Sequence, residues 1–191
     1  NVLIGGVEAL NRGLATFSEE DSRMFPTAYI PLGLGPDLSK KFLDKAINMG
    51  FSIILIDTVA PKGQISFTHP DYNKFWVAVQ DADLSVTLHV GADGGYSPIP
   101  RSFYNNQKQV PNHVEGDAPN DALAYMAIQY NAELFLSAMI FDGVLERFPN
   151  LRIGVVELGA SWIISWMKHL DQSYKAFRKF QDLSQLKLLP S

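Results

Sequence analysis

The hydrophobic pattern along the chain switches period several times, and the order of the switches predicts the fold. Short apolar, β-branched runs read as strands: "TAYIPLGL" (27–34), "FSIILIDT" (51–58), "LSVTLHVG" (84–91) and "LRIGVVEL" (151–158). Between them the apolar positions fall three and four residues apart, which is the spacing of one helical face. In "LSKKFLDKAINMG", Phe42, Ala46 and Met49 share such a face and Gly50 supplies the stop. In "THPDYNKFWVAVQDAD", Pro70 suits the first helical position and Asp71 sits in the positive first turn. Tyr72, Phe75, Trp76 and Val79 then follow at i, i+3, i+4 and i+7. A helix of about 20 residues from Asn120, the turn "RFPN" and a helix from about Ala160 complete the series.

A strand followed by a helix, repeated, predicts an α/β fold with a parallel sheet, because parallel neighbours need crossover connections. Two architectures satisfy this: an open doubly wound sheet, or part of a (β/α)8 barrel. "GADGG" after His89 and "GLG" at 33–35 match neither the dinucleotide fingerprint nor a P-loop with its lysine, so nucleotide binding has no support. The irregular stretch 92–119 is rich in Gly, Pro, Asn and Asp and leaves directly from His89. A connection of that length inside a domain reads as a lid or a disordered segment.

Composition narrows the function classes. The chain has 191 residues, 47% of them hydrophobic, enough for one domain with a substantial core. Its net charge of −4 is spread along the sequence without a basic block, which argues against nucleic-acid binding. No cysteine is present, so disulfides and thiolate metal sites are excluded and a reducing, cytoplasmic compartment is the expectation. Apolar runs such as "LFLSAMIF" (134–141) fall well short of the roughly 18 residues that span a bilayer, so no membrane span is expected.

The candidate chemistry sits where apolar strands end. His89 is the last large side chain on its face of strand 84–91, alongside Thr87. Alternation in strand 151–158 puts Val155 and Glu157 together, with Glu157 just before "LGASW". Asp57 ends "IILIDT" in the same way. In parallel α/β folds ligands bind at the carboxyl ends of strands, which favours all three as functional. Each also has a structural reading. His89 would be a hydrogen-bonded core residue, Glu157 would pair with Arg152 or Arg147 or with the next helix's N-terminus, and Asp57 would cap a turn. His69 precedes Pro70 and reads as a helix cap, His113 lies in the long loop, and His169 is mid-helix. His69 and His113 are the better candidates for substrate contact, because loops after strands line such sites. Trp162, after "ELGA", is placed to wall a pocket.

Three segments, "MFPTAYIPL", "HPDYNKFWVAVQDADLSVTLHVG" and "GVLERFPNLRIGVVELGASWIISWMKHLD", carry a resemblance to the amidohydrolase-related family, in its aminocarboxymuconate semialdehyde decarboxylase-like branch. That resemblance implies a metal-dependent (β/α)8 TIM barrel, incomplete here, with residues 1–191 supplying a central part of one domain, about strands three to six of eight. It implies that His89 is a metal ligand and that the metal is zinc, or alternatively manganese. It also places Glu157 where relatives commonly carry a second histidine. The His-x-His pair of the first strand and the aspartate of the eighth are not in this sequence.

The implied activity is hydrolysis or non-oxidative decarboxylation of a small carboxylic or cyclic substrate, with Glu157 and Asp57 as catalytic candidates and a homo-oligomer allowed. Two alternatives stay open. One is an inactive barrel fragment serving as a binding or assembly module. The other is a metal-independent, lactonase-like hydrolase.

Overall fold

The computed structural model describes residues 2–58, 65–90, 99–104, 106–107 and 122–191. Four parallel strands form one sheet in sequence order: β1 (Thr27–Ile30), β2 (Ile53–Ile56), β3 (Ser85–His89) and β4 (Arg152–Val156). Between consecutive strands the chain passes through helices: α2 (Pro36–Asn48), α3 (Asn73–Asp81), and then α4 (Ala122–Met126), α5 (Tyr130–Phe141) and α6 (Val144–Arg147). Helices α1 (Val2–Ser18) and α7 (Ile163–Phe177) flank the series. An α/β fold with a four-stranded parallel sheet and flanking helices is what an incomplete (β/α)8 barrel looks like.

The sheet has two unlike faces. Ala28, Ile30, Ile54, Ile56, Val86 and Leu88 are fully buried and join Phe42, Leu43, Ala46, Phe75, Trp76 and Val79 in one core. Each of the valine, leucine, isoleucine and phenylalanine side chains among them contributes about 1.5–3 kcal/mol by leaving water. Trp76 also satisfies its indole, since Nε1–H donates to the Phe67 carbonyl at 2.9 Å. The other face carries the row Tyr29, Leu55, Thr87 and Gly154, aligned by the strand register, and its described members are only partly buried or exposed.

The elements differ from the sequence reading in definite ways. The first strand stops at Ile30, where Pro31 leads into a 3-10 turn over Leu32–Leu34. Helix α2 ends at Asn48, so Met49 is its exposed C-cap and not part of the buried face; Leu43 takes that place. The helix expected from Asn120 is broken by a turn at residues 127–129 into α4 and α5. Helix α1 has no counterpart in the sequence reading. Gly5, Gly6 and Gly13 dilute its helical signal, at about 1 kcal/mol of propensity each. What holds it is packing against β1, where Val7 and Asn11 are buried. Of the long stretch 92–119, only 99–104 and 106–107 are described, with a 3-10 turn at Arg101–Tyr104; the lid reading otherwise lies outside the described residues.

Candidate active site at the strand tips

His89 closes β3 on the open face of the sheet, in line with Thr87. Its Nδ1 lies 2.7 Å from the Val90 carbonyl oxygen. A carbonyl only accepts, so Nδ1 is the donor in this bond and Nε2 is the ring nitrogen turned toward the strand tips. That Nε2 lies 3.2 Å from Glu157 Oε2.

Alternation alone does not produce this contact. The register pairs Val155 with Leu88, whose side chain is buried on the helix side, and strict alternation would send Glu157 to that side as well. The strand ends at Val156, however, and Glu157 adopts a left-handed backbone with φ 65°. The alternation breaks there and the carboxylate reaches His89. The conformation costs an L-residue about 1–2 kcal/mol, and Asp83 and Gln107 share its sign of φ among the described residues. Neither arginine foreseen as the partner of Glu157 plays that part: Arg152 pairs with Asp83 at 2.7 Å, and Arg147 donates to the carbonyls of Asp142 and Thr68.

Beside Glu157 lies a cleft of about 300 Å³, lined further by Tyr125, Met126, Gln129, Ser161 and Trp162. Trp162 is buried. Its Nε1–H donates to the Gly159 carbonyl at 3.2 Å, and its ring meets Trp166 edge to face at 5.6 Å. Trp166 is held in turn by a bond to Ser137 Oγ at 2.9 Å. The sequence reading placed Trp162 at a pocket wall but missed Tyr125, Met126 and Gln129. They come from the break between α4 and α5, and no Gly or Pro at 122–135 announces that break.

The other candidates are placed differently. Asp57 follows β2, and both of its oxygens are engaged: Oδ1 accepts from Leu32 N–H at 2.6 Å and Oδ2 from Gly33 N–H at 3.3 Å. Burial pushes its carboxyl above the usual carboxylate range, against the pull of those backbone donors. The same turn is held by Tyr72, whose hydroxyl donates to the Leu32 carbonyl at 2.6 Å, and by Ser39. His69 caps the 3-10 turn Pro70–Tyr72, its Nδ1 accepting from Asp71 N–H at 3.2 Å. His169 is exposed on α7. His113 lies outside the described residues. The structure therefore brings Glu157 together with His89 on one side and Trp162 on the other, and ties Asp57 and His69 into local turns.

Taken as metal donors, His89 Nε2 and the Glu157 carboxylate have the right chemistry and converge. A catalytic ion takes about three protein ligands and an open position. Among the described residues no group of three His, Asp or Glu side chains gathers. The two donors fit part of such a site.

A model of the amidohydrolase family matches residues 2–183. The chain belongs to the amidohydrolase family. Solved structures agree on the fold. An amidohydrolase from Mycobacterium avium subsp. paratuberculosis K-10 superposes with a TM-score of 0.74 at 18% identity, covering 96% of this chain and 44% of its own. The 5-carboxyvanillate decarboxylase of Sphingomonas paucimobilis gives 0.64 at 17%, covering 96% and 50%. The 2,6-dihydroxybenzoate decarboxylase of Rhizobium gives 0.64 at 19%, covering 92% and 51%. This amidohydrolase chain thus spans about half the length of the structures it matches. No curated protein matches it. Among the described residues no helix is long and apolar enough to cross a membrane.

Proposed function

We propose that the chain carries part of the active site of a metal-dependent enzyme that acts on a small carboxylic or cyclic substrate, by hydrolysis or by non-oxidative decarboxylation. The observation that carries this reading is the contact of His89 Nε2 with Glu157 Oε2 at 3.2 Å on the tips of adjacent parallel strands, beside a cleft. Ligand sites of parallel α/β folds lie at those tips.

In this reading His89 holds a divalent ion, zinc or alternatively manganese, through Nε2, with further ligands from outside the described residues. The ion when bound supplies Lewis acidity and a water of lowered pKa. The Val90 carbonyl fixes the tautomer of His89 and so keeps Nε2 available. Glu157 orients the substrate and moves a proton at its carboxylate oxygen. Trp162 walls the cleft and keeps water from one side of it. Asp57 acts as a positioning group: it fixes the turn at the tip of β1, and with both oxygens occupied it has little freedom to react. His69 and His113 are the loop candidates for substrate contact.

The test is metal analysis and turnover, on candidate lactones, amides and aromatic acids, of protein with and without His89→Ala. Loss of bound metal and activity together is expected; unchanged metal content and rate in the variant would overturn the assignment.

A second reading has the same contact in its favour: His89 and Glu157 as a metal-free acid–base pair, as in a lactonase-like hydrolase. Activity that persists after chelation selects it.

A further inference from the structure

A groove of about 330 Å³ runs between α1 and α2 and draws its walls from both helices. Helix α2 starts after the tip of β1 and finishes just before β2 begins. Lys45, Asn48 and Met49, at its end, therefore stand by the N-terminal ends of the strands, away from the tips that carry His89 and Glu157. We infer that this groove is a separate binding site for a small amphipathic anion, a carboxylate carried on an apolar chain.

Charge is the first ground. Lys45 donates to Glu8 and lies 5.9 Å from the centroid of the Phe42 ring, so one cation and one carboxylate of the groove are matched. Arg12 also lines the groove, is exposed, and has no ion-pair partner among the described residues. Lys45 above all, then Arg12 and Lys41, hold the Glu8 carboxyl below its ordinary range, which puts three cations within electrostatic reach of a single carboxylate. The excess is local, since the chain as a whole carries a net charge of −4. An unpaired guanidinium presents a planar fork of donors that matches a carboxylate.

The apolar wall is the second. Phe42 and Met49 supply it, together with the methylene stems of Arg12 and Lys45. Asn11 adds no free polar group there, because its carboxamide is committed to the backbone of Tyr29. From Phe42 to Met49 the groove follows two turns of helix, about 10 Å, which suits an extended short chain. An inorganic anion would leave that wall wet, a neutral apolar molecule would leave Arg12 unpaired, and an ammonium would be repelled. The last carbonyls of α2 carry the negative end of its dipole, so the anionic head belongs at Arg12 and the apolar tail toward Met49.

The experiment titrates the full chain with octanoate, octanol and octylammonium and follows the backbone amides by NMR. Octanoate is expected to shift amides of α1 and α2 around Arg12 and Met49, and to bind at least about fivefold more tightly than octanol. Octylammonium should leave those amides where they are. Arg12→Gln, on an exposed side chain without a partner, should weaken octanoate about fivefold and leave octanol unchanged. Met49→Ser, also on an exposed side chain, should weaken octanoate and octanol alike, with the circular dichroism of the wild type. His89→Ala should leave octanoate binding at the groove intact, which separates this site from the strand tips and from the metal assignment. Octanol binding as tightly as octanoate, no effect of Arg12→Gln, shifts confined to the residues around His89 and Glu157, or no binding of octanoate to folded protein overturns the inference.

Discussion

Asn11 and Tyr29 are joined by two hydrogen bonds in which a side chain takes the place of a neighbouring strand. Asn11 Nδ2 donates to the Tyr29 carbonyl at 3.0 Å, and Asn11 Oδ1 accepts from Tyr29 N–H at 2.9 Å. In a parallel sheet one residue offers its N–H and its C=O to the same side, and a carboxamide, with both a donor and an acceptor, answers both. The edge of β1 is thereby closed by α1, which removes an exposed pairing surface. Since Asn11 is buried, Asn11→Ala would leave two backbone groups unpaired away from water, and should cost about 2–3 kcal/mol in urea denaturation. Asn11→Asp, which has no donor when ionised, should be at least as damaging at neutral pH.

This edge shows where sequence reading reached its limit. The face of α3 was legible because Tyr72, Phe75, Trp76 and Val79 follow a clean helical spacing, and all four are fully buried. The tips of β2, β3 and β4 were legible because Asp57, His89 and Glu157 interrupt their apolar runs. Helix α1 was not, since its place depends on a long-range bond between Asn11 and Tyr29 that no local period encodes. The sequence reading placed His89 and Glu157 at the ends of their strands, but alternation would have separated the two, and the backbone sign at Glu157 that unites them has no signature in residue type. The break between α4 and α5 that brings Tyr125 and Gln129 to the cleft was hidden by residues that all tolerate a helix.

Asp57 gives stability a specific dependence on pH. Burial raises its folded-state pKa above the ordinary value of 3.8, so the folded chain holds this proton more tightly than the unfolded one. Its contribution is fully present below that ordinary value and is lost as pH rises through the folded-state value. Asp57→Asn is neutral throughout and lacks the second acceptor, so it should shift stability by an amount independent of pH at this site. The wild-type advantage over Asp57→Asn, from thermal melts between about pH 3 and pH 6, should therefore shrink as pH increases. An advantage that grows instead would show that the Leu32 and Gly33 donors outweigh burial.

Gly143, between α5 and α6, combines a left-handed backbone of φ 68° with a crowded neighbour. A Cβ there would lie 2.6 Å from Cγ of Gln185, whose amide donates to the Phe141 carbonyl and docks the C-terminal segment. Gly143→Ala should cost about 2–3 kcal/mol, from backbone strain and overpacking together. Adding Gln185→Ala should relieve the crowding but not the strain, so the double variant should recover part of the loss relative to the sum of the singles, as measured by a double-mutant cycle.

Glu157 predicts a trade between stability and function. Its left-handed backbone is unfavourable for any residue with a Cβ, and its contact with His89 joins two half-exposed side chains, a pairing worth little in water. Glu157→Gly removes the strain and loses only that weak contact, so it should raise stability by about 1 kcal/mol in urea denaturation. Glu157→Gln keeps both the backbone strain and the shape, and should match the wild type within about 0.5 kcal/mol. Both variants should lose the chemistry assigned to the carboxylate. A site where the functional variant is the less stable one is expected when strain is retained for the position of a reacting group. If Glu157→Gly proves less stable than wild type, the backbone at this tip is held by the side chain and not in spite of it, and the carboxylate is a structural partner of His89.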